Sequence, residues 1–266
     1  MDAQGARVEG SVEAEKSFEQ IVADSLPIEA DPQLARRVLE EVPLWFHTFA
    51  LNREHGIYTS GVAVDHRYRL PALPEDLSGA RVLDVGAFDG FYAFLAEARG
   101  AERVLAVDNE QYVSWVKARW GVTLEGGEGF RAIAGLLDSR VEYRRLDAFE
   151  LDRIGERFDL IFCFGILHRV ADPLGLLRIL KGRLRPGGSV LVETYGVPSD
   201  AGARVGAIQV PLPGQVYGGD EFVYWKFSSG GLGRLCRHAG FADLEVIDTP
   251  LIDGHPRLLG RLVHAG

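Results

Sequence analysis

The spacing of apolar residues changes character at Gly79. Beyond it, short β-rich runs alternate with helical stretches. Arg81–Val85, Arg103–Val107, Val141–Leu146, Asp159–Phe164 and Ser189–Glu193 read as buried strands. The first, fourth and fifth are nearly continuous hydrophobic runs, as strands covered on both faces should be. Helical patterns fill the gaps at Phe91–Ala98, Gln111–Trp120, Phe130–Leu137 and Pro173–Arg183. This alternation predicts a mostly parallel sheet with right-handed crossovers. Pro186-Gly187-Gly188 reads as a turn into the fifth strand.

After Glu193 the rhythm breaks. Residues 196–226 carry Pro198, Pro211 and Pro213 among several Gly and Tyr, the composition of an inserted lid or substrate segment. A helix resumes at Ser228 or Ser229, runs to His238 and is ended by Gly240, and strand-like runs at Leu244–Ile247 and Leu258–Val263 bring the sheet to seven strands. Upstream of Gly79 the pattern is weaker. Residues 1 to about 25 are polar and acidic and predict no element. A helix is predicted from Asp31, with Asp31 as N-cap, Pro32 in the first turn, and Leu34, Ala35 and Val38 on one face. The aromatic stretch Pro43–Phe49, a loop to about Arg69 and a linker from Pro71 to Gly79 follow. The expected fold is α/β: a doubly wound, Rossmann-like, seven-stranded and mostly parallel sheet. Residues 1–78 form a helical and loop extension covering the site, and residues 79–266 form the main domain with the insertion at about 196–226.

Composition narrows the function classes. A chain of 266 residues, 47% hydrophobic, has room for one sizeable core. A formal net charge of −9 argues against a broad nucleic-acid surface, since phosphate binding draws on clustered Lys and Arg. Arg144-Arg145 and the Arg178, Lys181, Arg183, Arg185 group read as solvated faces. No apolar run approaches the roughly 20 residues of a membrane span, and the N-terminus has no secretory pattern. The two cysteines, Cys163 and Cys236, sit in apolar surroundings and predict reduced thiols in the cytoplasm. His47, His55 and His66 lack ligand spacing, so no metal site is expected.

The candidate chemistry lies at strand ends. The first strand leads into Asp84-Val85-Gly86-Ala87-Phe88-Asp89-Gly90, where glycine allows a tight turn and close approach of a ligand to the backbone. The dinucleotide fingerprint G-x-G-x-x-G is absent, which ranks hydride transfer last. Asp89 is suited to accept hydrogen bonds from a ligand amine. Asp108, followed by Asn109, ends the second strand and is placed to accept from ribose hydroxyls. Asp147-Ala148 follows the third strand, where an acid takes an adenine amino group, and Phe164-Gly165 ends the fourth. Four such signals in order, each at a carboxyl end, outweigh the reading of each as an isolated cap.

These residues resemble class I S-adenosylmethionine-dependent methyltransferases from about Gly79 onward. The resemblance implies that Gly86 and Gly90 line the methionine moiety, that Asp108 takes the ribose and that Asp147-Ala148 take the adenine. Phe88 departs from it, standing where that family commonly has glycine. A narrower similarity is to the wobble-uridine tRNA methyltransferase and carboxymethyltransferase group. It rests on Trp45-Phe46-His47-Thr48, Gly90-Phe91-Tyr92-Ala93-Phe94, Gly165-Ile166-Leu167-His168 with Asp172-Pro173, Val192-Glu193-Thr194, and Phe222 to Ser228. Where that group has Tyr-His this chain reads His168-Arg169, and the group's arginine-rich closing stretch has no clear match around Gly254–Arg261. In the group those features hold the extra carboxylate of a carboxylated donor, so plain S-adenosylmethionine is the expected cofactor.

The expected reaction is methyl transfer to a small-molecule acceptor. The alternatives are tRNA wobble-uridine modification and a cofactor-binding regulator or scaffold without turnover. His168 is the first candidate general base, being an imidazole just past a strand end. His47, Glu193 and Tyr195 follow it. Trp45, His47, Tyr217, Tyr224 and Trp225 are the candidate acceptor-lining residues.

Overall fold

A computed structural model describes residues 16–63, 65–109, 111–197 and 223–264. The chain begins there with α1 (Phe18–Ser25) and α2 (Pro32–Glu41). An antiparallel pair, β1 (Ala50–Asn52) and β2 (Ile57–Tyr58), and a 3₁₀ turn at Arg67–Ala72 come next. The alternating region is β3 (Arg81–Val85), α3 (Phe91–Ala98), β4 (Arg103–Asp108), α4 (Gln111–Trp120), α5 (Glu128–Leu137), β5 (Glu142–Arg145), β6 (Phe158–Phe164), α6 (Pro173–Gly182) and β7 (Leu184–Tyr195). It closes with α7 (Ser229–His238), β8 (Leu244–Asp248), β9 (Leu251–Ile252) and β10 (His255–Val263). The sheet order is β5-β4-β3-β6-β7-β10-β8. β3, β4, β5, β6 and β7 pair in parallel, and β10 is antiparallel to both β7 and β8. These are the seven expected strands, and the two-residue β9 pairs with β10 besides.

Both faces of the sheet are covered, so the period of two hides within apolar runs. Val82, Ala106, Leu160 and Phe162 face one core with Phe91 and Phe94 of α3 and Ile133 of α5. Their neighbours Leu83, Leu105, Ile161 and Cys163 face the other, with Leu176 and Leu180 of α6 and Leu232 and Cys236 of α7. Caps fix the helix starts. Asp31 accepts from the Gln33 and Leu34 amides, Asp172 from Gly175, and Ser228 from Gly231.

Several expectations change. The polar start contains α1, nucleated by a reciprocal capping box between Ser17 and Gln20 that outweighs its sparse apolar content. Leu34 is 41% exposed, and Ala35 and Val38 carry the buried face of α2. The stretch from Pro71 to Gly79 is no free linker. Leu73 and Leu77 are buried, the Leu77 amide donates to Arg99, and Arg99 holds the carbonyls of Leu73 and Pro74. The Pro186-Gly188 turn is taken up inside β7, where the register against β6 shifts between Phe158 and Leu160.

The N-terminal residues pack into the core of the first face. Val22, Leu26, Trp45 and Phe49 share it with Val82 and Phe91, and the rings of Phe49 and Phe91 lie 5.3 Å apart. Phe49→Ala should therefore destabilise the whole chain by about 3–5 kcal/mol in one cooperative transition. A denaturant titration that shows the main transition unmoved would mean that the segment folds independently of the sheet.

Candidate functional site

A cavity of about 690 Å³ opens beyond the carboxyl ends of β3, β4, β6 and β7. It lies at the switch point, where β4 continues the sheet one way from β3 and β6 the other, the crevice in which open α/β sheets bind ligands. Its size is ordinary for a cofactor with an acceptor beside it.

Gly86 forms its floor in the left-handed conformation, φ +79°, where a Cβ would stand 2.2 Å from Ile166 Cδ1. Phe88 is left-handed too, at φ +52°, without being glycine. Its amide donates to Asp108 Oδ2 at 2.7 Å, and its ring stacks on Phe46 at 4.9 Å and packs on Tyr112 at 4.6 Å. Such a backbone strain is of order 1–2 kcal/mol, and the aromatic packing offsets it. Asp108 also accepts from the Asn109 amide at 2.8 Å, and the Asn109 side chain donates to Asp147 Oδ2 at 2.8 Å. Asp108, Asn109, Asp147, Ala148, Phe164 and Gly165 all line the cavity. Burial pushes the Asp108 carboxyl up to about 7, against the pull of the Phe88 and Asn109 amides.

The rest of the loop faces away. Asp84, Ala87, Asp89 and Gly90 are buried outside the lining. Burial, helped by the charge of Asp108, pushes Asp84 up to about 8, and its Oδ2 has no partner among the described residues. Gly90 serves packing, since a Cβ there would meet the Phe130 ring at 2.5 Å. Asp89 is spent on the N-terminal segment. Its Oδ2 accepts the amides of Phe46 and His47, each at 2.8 Å, and its Oδ1 meets the His47 ring Nδ1.

The acceptor-side expectations divide by parity. Trp45 and His47 point into the core, and Phe46 between them forms the wall, edge-on to Trp115. Tyr224 lines the cavity, whereas the Trp225 indole turns away and donates to the Val170 carbonyl at 2.6 Å. Tyr217 lies outside the described residues, as does most of the expected insertion. His168 is fully buried and does not line the cavity; its Nδ1 is 3.2 Å from Thr194 Oγ1, and its carbonyl accepts the Tyr224 amide. Burial, then the charges of Arg169, Arg257 and Arg69, hold its pKa well below the ordinary range. The first candidate general base is thus a fully buried imidazole outside the lining, its ring 4.6 Å from that of Tyr195, which does line the cavity. His47 is likewise enclosed behind the wall.

Tyr195 does line the cavity, and Glu193 lies just behind it, fully buried between Arg69 at 2.6 Å and Arg257 at 2.5 Å. Burial alone would raise the Glu193 pKa; Arg257 and Arg69 overcome that and hold it at about 2. Both arginines line the cavity with Tyr68 and His255. Sequence reasoning missed these four. The available signal was the β10 ladder, whose register sets Arg257 opposite Tyr195 and Leu259 opposite Glu193.

The chain belongs to the methyltransferase-domain family, whose model matches residues 60–246. It is 30% identical over 193 residues to a tRNA U34 carboxymethyltransferase of Idiomarina loihiensis, covering 69% of this chain and 52% of the relative. It is 29% identical over 180 residues to one of Campylobacter hominis, covering 67% and 56%. The chain thus spans about half the length of the curated relatives it matches. Among solved structures, the N-terminal domain of EvdMO1 with SAH bound superposes with a TM-score of 0.61 at 21% identity, covering 88% of this chain and 96% of that one. A methyltransferase from Mesorhizobium loti gives 0.51 at 22%, covering 74% and 96%. These two likenesses speak for the fold.

The residues present fit the cofactor. Gly86 lines the cavity in a left-handed turn packed against Ile166, and Asp108, Asn109 and Asp147 offer polar groups linked through Asn109. Hydroxyl groups donating to Asp108 favour its ionised form, so binding should release a proton near pH 7. Because the free-state pKa is raised to about 7, affinity for S-adenosylhomocysteine is low below that pH. It should rise roughly tenfold between pH 6 and pH 8 by linkage. Calorimetry at several pH values checks this, and Asp108→Asn should flatten the profile. Glu193→Gln should destabilise the protein by about 3–5 kcal/mol, since it leaves two buried guanidinium groups uncompensated; a chemical melt within 1 kcal/mol of the parent, to about the precision of such extrapolations, would contradict the buried triad.

Proposed function

We propose that this protein transfers a methyl group from S-adenosylmethionine to a small-molecule acceptor held in the same cavity. The observation carrying this reading is the division of the lining. Gly86, Asp108, Asn109 and Asp147 line it from just after β3, β4 and β5, whereas Tyr195 lines it from the end of β7 and Arg257 from β10, with Arg69 joined to Arg257 through Glu193. S-adenosylmethionine supplies an electrophilic methyl group on sulfur. The protein's own contribution is position: Phe46 and Phe88 close one side against water, and the aromatic and arginine wall orients the acceptor. The buried histidines take no part in proton removal on this reading. His255 is the imidazole that lines the cavity. The two buried thiols, Cys163 and Cys236, suit a reducing compartment, and we read the protein as cytoplasmic.

A second reading, modification of a tRNA wobble uridine, is favoured by the relatives' names. Labelled methyl donor separates the two. The protein is incubated with a small-molecule extract and, separately, with tRNA lacking wobble-uridine modification. Label in the small-molecule fraction alone is expected. Label on a tRNA uridine would transfer the conclusion to the second reading, and absence of S-adenosylhomocysteine binding would contradict both.

A further inference from the structure

A cation–π contact joins the two flanks of the cavity. Trp115 stands in the second turn of α4, on the β4 side, and Arg169 in the short turn after β6. The guanidinium carbon lies 4.7 Å from the centroid of the Trp115 ring, and both residues line the cavity. In the sheet β3 separates β4 from β6. Two strand spacings are roughly 10 Å, and the Gly86 loop that follows β3 lies between. Trp115 is well fixed: it is 8% exposed, with Trp120 edge-on at 4.8 Å and Phe46 at 6.1 Å. The backbone at Arg169 is fixed as well. The His168 carbonyl accepts the amides of Tyr224 and Trp225, the Val170 carbonyl accepts the Trp225 indole, and the Arg169 amide donates to Ile166. The Arg169 side chain is half-buried, and its Nε donates to the Gly165 carbonyl at 3.0 Å. Opening the contact to Trp115 therefore takes rotation about side-chain bonds and no rearrangement of the loop.

A cofactor with its methionine part at Gly86, its ribose at Asp108 and its adenine at Asp147 lies along the ends of β3, β4 and β5, between the flanks that this pair joins. A guanidinium is flat and weakly hydrated, so it leaves an indole face for water and returns to it at little cost, whereas a compact, strongly hydrated ammonium holds such a face less well. A partly desolvated contact of this kind is worth about tenfold in an equilibrium constant. The residue also marks this chain, since it belongs to the His168-Arg169 pair that stands where the wobble-uridine group reads Tyr-His. Trp225, turned away from the cavity, braces the turn that carries it. We infer that Arg169 is a side-chain clasp that closes on Trp115 across the bound cofactor and sets the rate at which the spent product leaves. This inference rests on the methyl-transfer reading above and on the cofactor's place within it.

The test uses the full chain and S-adenosylhomocysteine, with affinity from calorimetry and rates from rapid mixing with labelled ligand. Arg169→Met keeps the reach of the side chain and removes the cation. It should raise the dissociation rate about tenfold and leave the association rate within about threefold. Trp115→Leu should weaken binding by a similar factor, and the double variant should be no weaker than the poorer single one, within about twofold. Arg169→Lys restores a cation without the flat stack and should fall between Arg169→Met and the parent. Should Trp115→Leu not fold, Trp115→Phe keeps a ring with a weaker hold on the cation and should show a smaller loss in the same direction. An unchanged dissociation rate in Arg169→Met overturns the inference while cofactor binding still supports methyl transfer. Losses that add in the double variant also overturn it, since the two residues then act apart. So does tighter binding in Arg169→Met, since the arginine then occupies the ligand's place. Absence of S-adenosylhomocysteine binding in the parent protein would instead remove the underlying reading.

Discussion

Asp89 joins the two parts of this molecule. Its carboxylate accepts three hydrogen bonds from Phe46 and His47 while its own backbone belongs to the loop after β3. Hydrogen bonds to a charged acceptor are each of order 1.5–3 kcal/mol net, and these are buried. The consequence reaches both walls. With Phe46 fixed by its own amide, its ring stacks on Phe88, and Phe88 in turn presents its amide to Asp108. The segment held at His47 leads through the 3₁₀ turn to Arg69, which reaches Glu193 at the end of β7. The cavity is therefore built across a seam, with neither side complete alone.

The same logic explains what could be read from the sequence. Strand and helix alternation, with Asp108, Asp147 and Gly165 at strand ends, follows from local pattern, and the sheet put each where the pattern suggested. Asp89 and Gly90 lie in the same loop, where the pattern suggests a ligand-facing place for both, but tertiary partners claim them: His47 for one and the Phe130 ring for the other. No local signal separates a loop residue that faces a ligand from one that faces a neighbouring segment. Parity was the second difficulty. Trp45 and His47 attract attention by their chemistry, yet in an extended stretch alternate side chains point opposite ways, and Phe46 is the one turned to the cavity.

His168 shows a third limit. Its position just past β6 was legible, but its enclosure was not. It depends on residues 224 and 225, which return over it with their amides on its carbonyl. The arginine wall depends on still longer range. Arg69 and Glu193 are 124 residues apart, and only the antiparallel return of β10 brings Arg257 to the same carboxylate. Removing two charged groups from water is unfavourable. The arrangement is compact because Glu193 is held by two cations at once and the tyrosines around it take part of the remaining hydrogen bonding.

The seam is tested most directly by amide hydrogen exchange on Asp89→Ala beside the parent protein. Loss of the carboxylate should raise exchange at residues 45–63 by tenfold or more. It should leave β4 and β6 protected and weaken S-adenosylhomocysteine binding, although Asp89 does not line the cavity. Unchanged exchange in residues 45–63 together with unchanged cofactor affinity would contradict a site assembled across that contact.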